Sequence, residues 1–127
     1  MAHPTPTCIS KGCTNDKAIT KKGYSQGRLC YRCRNNLSKY GLTGPECDEL
    51  LAAQGYACAC CSHKIEFDKR ASGISKSSAV VDHNHNSGVV RGILCAACNI
   101  MLGAAMDDQL VLRQGMRYLA NVKKQLP

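Results

Sequence analysis

Residue types suited to metal-dependent hydrolysis cluster between Asp82 and Gly103. Asp82, His83 and His85 place one carboxylate and two imidazoles within four consecutive residues. A carboxylate binds hard, hydrated cations such as Mg²⁺, and an imidazole can accept a proton near neutral pH. Asn99 adds a further oxygen after an intervening Gly-containing turn. The pattern indicates a hydrolytic centre, although taken alone the Asp-His-Asn-His run also fits a polar hairpin rim or a zinc site.

Cysteine pairs on both sides of this run predict a second, structural metal site. Two Cys-x-x-Cys pairs have the spacing of zinc half-sites, and they are Cys58 with Cys61 and Cys95 with Cys98. Four thiolates complete a tetrahedral shell, so this zinc would hold shape and take no part in chemistry. Cys60 is then a spare thiol. His63 lies near enough in sequence to compete as a ligand.

The N-terminal segment has its own cysteine set, which predicts a second structural zinc ion. The set is Cys8, Cys13, Cys30 and Cys33. Residues 1–45 also hold eight lysines and arginines against one aspartate, a net charge of +7 out of +8 for the whole chain. This surplus suits phosphate contacts, and it also fits a solvated basic face. The nearby tyrosines Tyr24, Tyr31 and Tyr40 could stack on nucleic acid or cover the zinc module.

Length and composition predict a small protein that needs metal to stabilise its fold. The chain has 127 residues, ten cysteines and only 5% aromatic residues, so its core is thin. Residues 1–7 contain two prolines and predict a loose tail. The start lacks the pattern of a signal peptide, and no apolar stretch is long enough to cross a bilayer. We therefore expect an intracellular protein, neither secreted nor membrane-bound, with reduced cysteines.

The local signals predict elements that position these residues. Thr43-Gly44-Pro45-Glu46 has the pattern of a capping box, which begins a helix that ends near Gly55. Cys47 lies on the apolar face of that helix and is expected in the core. Residues 79–94 predict a β-hairpin turning at Asn86-Ser87-Gly88, followed by a helix over 96–102. A last helix begins at Asp107-Asp108, and its apolar stripe is expected to cover the core or to join two subunits.

These motifs together resemble a known family. A CxxC pair, then DHxH, then a hairpin with the pattern GxVRGxLCxxCN is similar to the recombination endonuclease VII family of bacteriophages, within the HNH or ββα-metal nucleases. The resemblance covers about residues 40–106, including the run YGLT and the pair Gln54-Gly55. The N-terminal cysteine module resembles zinc knuckles found beside phage HNH nucleases. The implied organisation is a zinc module at 1–41, a nuclease core at 42–106 and a C-terminal helix at 107–127.

The resemblance also implies roles for individual residues. It makes Asp82 and Asn99 ligands of a catalytic Mg²⁺ or Mn²⁺, His83 the general base and His85 a second active-site histidine. The best-known member of the family has an acidic residue three positions after the asparagine, and here that position is Leu102. Water, phosphate oxygens or His85 would then complete the metal shell. The role of Arg91 stays open between a phosphate contact and an ion pair with an acidic neighbour.

The expected fold is therefore a small zinc-stabilised α+β domain with a ββα-metal nuclease core. The expected function is a Mg²⁺-dependent DNA endonuclease that cuts branched DNA as a homodimer, in the host cytoplasm if a phage encodes it. Two alternatives are a nicking or site-specific HNH endonuclease on duplex DNA, and a zinc-containing DNA-binding protein without catalysis. Nothing in the chain identifies a recognition sequence.

Overall fold

The computed structural model describes residues 13, 19–20, 23–24, 31–67 and 75–122. Within these ranges four strands form two separate antiparallel pairs, the first strand with the second and the third with the fourth. The elements are β1 Ile19–Thr20, β2 Gly23–Tyr24, α1 Tyr31–Tyr40, α2 Gly44–Ala53, β3 Ala79–His83, β4 Val90–Cys95, α3 Ala96–Ala104 and α4 Gln109–Asn121. The small α+β fold expected from the sequence is confirmed.

The predicted capping box begins α2. The Thr43 hydroxyl accepts a hydrogen bond from the Glu46 amide at 3.2 Å, and the Glu46 carboxylate accepts one from the Thr43 amide at 3.1 Å. These bonds satisfy amides that a helix start otherwise leaves unpaired, which contributes about 1 kcal/mol. Gly55 follows the helix with φ +68°, a left-handed conformation that glycine adopts without strain. Both predicted ends of α2 are confirmed.

The β3–β4 hairpin carries the Asp-His run at the end of its first strand. Ala79 lies opposite Cys95, and the regular pairing continues to Asp82 opposite Gly92. The register then shifts, so that His83 lies opposite Val90 and Arg91 is an extra residue on β4. This is a β-bulge, which bends the strand and changes the direction of the side chain at that position.

The hairpin turn is held by Asn84. Its side-chain oxygen accepts hydrogen bonds from the amides of Asn86 at 2.8 Å and Ser87 at 3.1 Å. Gly88 has φ +76° and donates its amide to the Asn84 carbonyl at 2.7 Å. The turn predicted at residues 86–88 is confirmed, and it fixes the short loop between the two strands.

Helix α3 follows β4 without a connecting loop. The Cys95 sulfur caps it by accepting a hydrogen bond from the Cys98 amide at 3.3 Å. The helix ends at Ala104, two residues later than predicted. Strand, strand and helix therefore form a ββα unit, and its hairpin packs against α3.

The core is small and contains several cysteines. Its apolar members include Leu51, Ile65, Val81, Ile93 and Leu94, which come from α2, the 57–67 segment and both strands of the hairpin. Cys47 is fully buried among them, as predicted. Burial raises the pKa of the Cys47 thiol, with Arg32 partly opposing the shift, so that this side chain stays neutral.

Gln54 connects α2 to the hairpin. Its side-chain nitrogen donates to the carbonyls of Ala57 at 2.9 Å and Ile93 at 2.8 Å, and its oxygen accepts from the Ile93 amide at 2.9 Å. The amide side chain thus pairs with the outer edge of β4 as a neighbouring strand would. A Cβ at Gly92 would approach the Gln54 oxygen to 3.2 Å, so glycine there leaves room for the contact.

Helix α4 begins where the Asp107-Asp108 pair predicted. The Asp108 carboxylate caps it by accepting from the Leu110 amide at 2.8 Å. The expectation that its apolar stripe covers the core is wrong within the described residues, because no residue of α4 is buried and Leu112 is half-buried. Met116 and Leu119 are 72% and 74% exposed. Among the described residues, no helix is long and apolar enough to span a membrane.

The predicted N-terminal zinc module falls largely outside the described residues, which exclude Cys8 and Cys30. Cys13 is half-buried, and Cys33 is buried on α1 with its sulfur accepting a hydrogen bond from the Gly44 amide at 3.4 Å. Arg32 binds both carboxylate oxygens of Asp48, at 3.0 and 2.7 Å, and so joins α1 to α2. The second zinc ion and the domain boundary near residue 41 stay predictions.

Candidate metal centre and active site

The four cysteines of the predicted nuclease-core zinc site come together. The sulfurs of Cys58, Cys61, Cys95 and Cys98 all lie within 4.8 Å of one another. Tetrahedral Zn²⁺ with bonds of about 2.3 Å requires sulfurs about 3.8 Å apart. The Cys61 and Cys95 sulfurs are 3.8 Å apart, so the donor set fits zinc in both identity and spacing.

The local backbone favours a thiolate at Cys58. Burial would raise the pKa of this thiol, but hydrogen bonds from the backbone amides of Cys61, Cys95 and Cys60 lower it to about 7. The pKa of Cys98 is raised, first by burial and then by the neighbouring thiols. Four sulfurs this close cannot all lose their protons unless a cation lies among them, which is the condition that zinc meets.

Two possible competitors for the zinc lie outside the sulfur cluster. Cys60 is exposed and is not one of the four clustered sulfurs, although its backbone amide donates to the Cys58 sulfur at 3.4 Å and its thiol lies near that of Cys98. His63 is exposed, and it is not part of the sulfur cluster. The pairing of Cys58 with Cys61 that the sequence favoured therefore agrees with the geometry.

Asp82 is a buried carboxylate paired with one arginine. Its residue exposure is 6%, and both of its oxygens accept hydrogen bonds from Arg91, from Nε at 2.8 Å and from Nη2 at 2.9 Å. The bulge at Arg91 places its guanidinium beside Asp82 on the paired strand β3. The sequence left two roles open for Arg91, a phosphate contact and an ion pair with an acidic neighbour. The structure shows the ion pair.

Asp107 binds the other side of the same guanidinium. Its oxygens lie 3.2 Å from Nη2 and 3.2 Å from Nη1 of Arg91. Asp82 and then Asp107 raise the pKa of Arg91 above its ordinary value, so this side chain stays charged. Met106 and Asp107 have φ +55° and +57°, an uncommon conformation for residues other than glycine. This turn after α3 brings Asp107 to Arg91.

His83 is half-buried between two aromatic rings. Its ring centroid lies 5.7 Å from that of Tyr40, at the end of α1, and 4.7 Å from that of His85. Both pairs are tilted, by 55° and 53°. Contacts with rings this close restrict ring orientation, so Tyr40 and His85 limit where the His83 nitrogens can point.

Asn99 lies on α3 and is half-buried. It precedes Leu102 by three residues and Gly103 by four, so the three share one helix face. Leu102 borders a recess of about 260 Å³ together with Asp82 and Arg91, and Gly103 borders one of about 610 Å³ with His85 and Arg91. Leu102 and Gly103 therefore border recesses that hairpin residues also line, and Asn99, which lines neither recess, lies on the same helix face. No hydrogen bond links the Asn99 side chain to another described residue.

Most of the chain matches a known protein family. The model of the family described as recombination endonuclease VII matches residues 34–121. The chain belongs to this family. The match runs from within α1 to the end of α4, so it includes the sulfur cluster, the Asp-His run and Asn99.

Two phage proteins are similar in sequence to this member of the recombination endonuclease VII family. The Gene 59 protein of Mycobacterium phage L5 is 38% identical over 86 residues, which are 67% of this chain and 48% of that protein. The Gene 59 protein of Mycobacterium phage D29 is 38% identical over 84 residues, 65% of this chain and 46% of that protein. The chain thus spans about half the length of these curated relatives.

A solved structure shows a weaker likeness. The crystal structure of the ββα-Me type II restriction endonuclease Hpy99I has a TM-score of 0.42 and 24% sequence identity, and the match covers 92% of this chain and 65% of that chain. A TM-score of this size does not establish a shared fold. The ββα arrangement described above rests on the strands and helix of this chain itself.

Asp107 is the site residue that sequence reasoning missed in this family member. Its position beside Asp108 marked it only as part of a helix start. The features that bring it to Arg91 are a bulge and a left-handed turn of Met106 and Asp107. Gly92, directly after Arg91 in the strand pattern, is a sequence signal for the bulge, whereas the turn has no glycine to mark it.

Proposed function

We propose that this protein is a metal-dependent DNA endonuclease that hydrolyses phosphodiester bonds, with branched DNA such as four-way junctions as its substrate. Membership of the recombination endonuclease VII family supports the nuclease activity. The structural observation that supports it most is the pair at the end of β3, where the buried carboxylate of Asp82 is followed by the half-buried imidazole of His83.

His83 is proposed to act as the general base. Hydrolysis needs a water molecule to lose a proton while it attacks the phosphorus in line with the leaving oxygen. The rings of Tyr40 and His85 orient the imidazole that takes this proton. His85 lines the larger recess, where it can donate a hydrogen bond to the phosphate or to its bound water.

Asp82 and Asn99 are proposed to hold the catalytic cation through one carboxylate and one amide oxygen. Mg²⁺ or Mn²⁺ bound there supplies positive charge for the phosphate and for the leaving 3′ oxygen. Both oxygens suit a hard cation that keeps several waters, whereas the sulfur cluster suits zinc. The two metals are thus assigned to separate groups of residues with separate tasks.

The proposed partners are DNA and a second copy of this chain. The +7 charge of residues 1–45 favours contacts with the phosphate backbone. The exposed apolar side chains of α4 favour a homodimer, in which two active sites could cut paired strands of a junction. Because the similar Gene 59 proteins come from phages, the proposed place of action is the infected bacterial cell.

The test compares wild-type protein with His83→Ala on a four-way junction, a linear duplex, a supercoiled plasmid and a single strand, with added Mg²⁺. Removing the base should lower the cleavage rate by about 10²- to 10⁴-fold, with zinc content unchanged. Preference for the junction over the duplex supports the branched substrate. Equal cutting by both proteins would overturn His83 as the base.

The substitution His63→Ala serves as the matched control, because His63 is exposed and has no proposed role in the chemistry. Its cleavage rate should stay near that of wild type. Zinc-loaded wild-type protein that binds DNA but cuts none of the four substrates with Mg²⁺ or Mn²⁺ would favour a DNA-binding protein without catalysis.

A further inference from the structure

One guanidinium binds the carboxylate proposed to hold the catalytic cation. Both Asp82 oxygens accept hydrogen bonds from Arg91, at 2.8 and 2.9 Å. A divalent cation needs at least one of these oxygens and would be repelled by the adjacent positive charge. Arg91 and the cation therefore compete for Asp82. The ion pair with Arg91 lowers the affinity of Asp82 for the cation, and a bound cation weakens the ion pair.

Asp107 provides a second carboxylate that contacts Arg91 at the same time as Asp82. It lies 3.2 Å from both terminal nitrogens of the guanidinium, and its side chain is 31% exposed compared with 8% for Asp82. Arg91 could thus give up bonds to Asp82 and remain paired through Asp107. An arginine without such an alternative would become an unpaired charge beside a bound cation, which is costly.

The charges of these groups also favour this exchange. Asp82, Arg91 and Asp107 together carry one net negative charge, so that a divalent cation brings the group to one net positive charge. Without Asp107 the same group would reach two positive charges in a half-buried place. The position three residues after Asn99 holds Leu102, which provides no compensating charge.

We propose that Asp107 is a positioning residue that accepts Arg91 from Asp82 when Asp82 binds a divalent cation, and so sets the affinity of the site for that cation. The inference rests on the proposed function, since it takes Asp82 as a cation ligand. In it Asp107 acts through Arg91 and does not touch the cation.

The test measures Mn²⁺ binding to the zinc-loaded full chain by the electron paramagnetic resonance signal of free Mn²⁺. Asp107→Asn should weaken Mn²⁺ binding by about tenfold, and Arg91→Met should strengthen it by a similar factor. In the double variant, Asp107→Asn should weaken binding much less than it does alone, because the residue through which it mainly acts is gone. Asp108→Asn is the matched control, with the same charge change one residue away and its helix-capping ability retained.

The alternatives give different results. If Asp107→Asn still weakens binding about tenfold in the Arg91→Met background, Asp107 is a direct ligand and the exchange is overturned. Weaker Mn²⁺ binding by Arg91→Met, with zinc retained, would mean that Arg91 supports the site and does not compete for it. Arg91→Lys keeps the charge without the paired hydrogen bonds, and should bind Mn²⁺ more tightly than wild type if Arg91→Met does not fold.

Asp82→Asn separates this inference from the proposed function. If this variant binds Mn²⁺ as well as wild type does, Asp82 is not a cation ligand and the proposed catalytic site fails. If it loses binding while Arg91→Met leaves the affinity unchanged, the site stands and the exchange alone is wrong.

Discussion

Asp82 and His83 are neighbours in the chain, yet their side chains meet different surroundings. Asp82 borders Arg91 and Leu102, whereas His83 lies between Tyr40 and His85. Successive residues of a strand point to opposite faces, and the bulge at this position modifies that alternation. The proposed cation ligand and the proposed base are therefore fixed by different parts of the molecule, which allows each to be tested alone.

Tyr40 is expected to position His83 through its ring. Tyr40→Ala removes the aromatic contact at 5.7 Å and should lower the cleavage rate by about tenfold, because the imidazole gains orientations that cannot accept the water's proton. Tyr40→Phe keeps the ring and should cut at close to the wild-type rate. Both variants are measured by single-turnover cleavage. A slow Tyr40→Phe variant would show that the hydroxyl matters instead.

The residues that the sequence identified are those with strong local signals. The Cys-x-x-Cys pairs, the Asp-His run and the capping box each lie within a few consecutive positions, where residue type and spacing decide the geometry. Arg91 with Asp107 is different, because their contact spans 16 residues and depends on a bulge and on two residues with positive φ. Sequence periodicity contains no sign of either feature.

At the scale of the elements, the four-cysteine cluster links the 57–67 segment to the junction of β4 and α3. Cys58 and Cys61 lie in a segment without a named helix or strand, and Cys95 and Cys98 lie where β4 meets α3. The apolar core around them is small. Metal binding in such a domain contributes directly to its folding free energy.

Cys98→Ser should therefore destabilise the fold strongly. Loss of a zinc ligand is expected to cost several kcal/mol and to lower the melting temperature by more than about 10 °C. Cys60→Ser is the matched control, since this exposed thiol lies outside the sulfur cluster. Calorimetry gives the melting temperature of each variant, and the zinc content of each is measured alongside. Equal melting temperatures for the two would contradict a structural role for the cluster.

Gln54 is expected to stabilise the junction of α2 with the hairpin. Gln54→Ala removes three hydrogen bonds and leaves the Ile93 amide without its side-chain partner, which should cost about 2–3 kcal/mol in the free energy of unfolding. Gln54→Glu keeps an acceptor for the Ile93 amide but places a charged oxygen against the carbonyls of Ala57 and Ile93, so it should be at least as destabilising as Gln54→Ala. Denaturant unfolding of the zinc-loaded protein measures the series, and an unchanged midpoint for Gln54→Ala would refute the role.

For the whole molecule, α4 determines how the chain is expected to associate. Its exposed residues Met116 and Leu119 lie on one helix face with the half-buried Leu112. Exposed apolar groups of this kind commonly mark an interaction surface. Whether the helix covers its own core or a partner could not be predicted from its amphipathic pattern, since both arrangements need the same stripe.

Leu119→Glu should weaken the proposed homodimer by at least about tenfold, because it places a charge where an apolar side chain would be buried. Gln114→Glu is the control, on the opposite face of α4 and exposed. Light scattering over a range of concentrations gives the molecular mass of each. A monomeric wild-type protein at working concentration would contradict the dimer.

The bulge at Arg91 also limits how this hairpin can change in length. Deleting Val89 or Val90 would remove the extra position on β4 and restore simple alternation. The guanidinium would then lie on the other face, away from Asp82, even though every residue type was kept. Segments exchanged between relatives here must therefore match in length, since insertions and deletions would be more damaging than most substitutions.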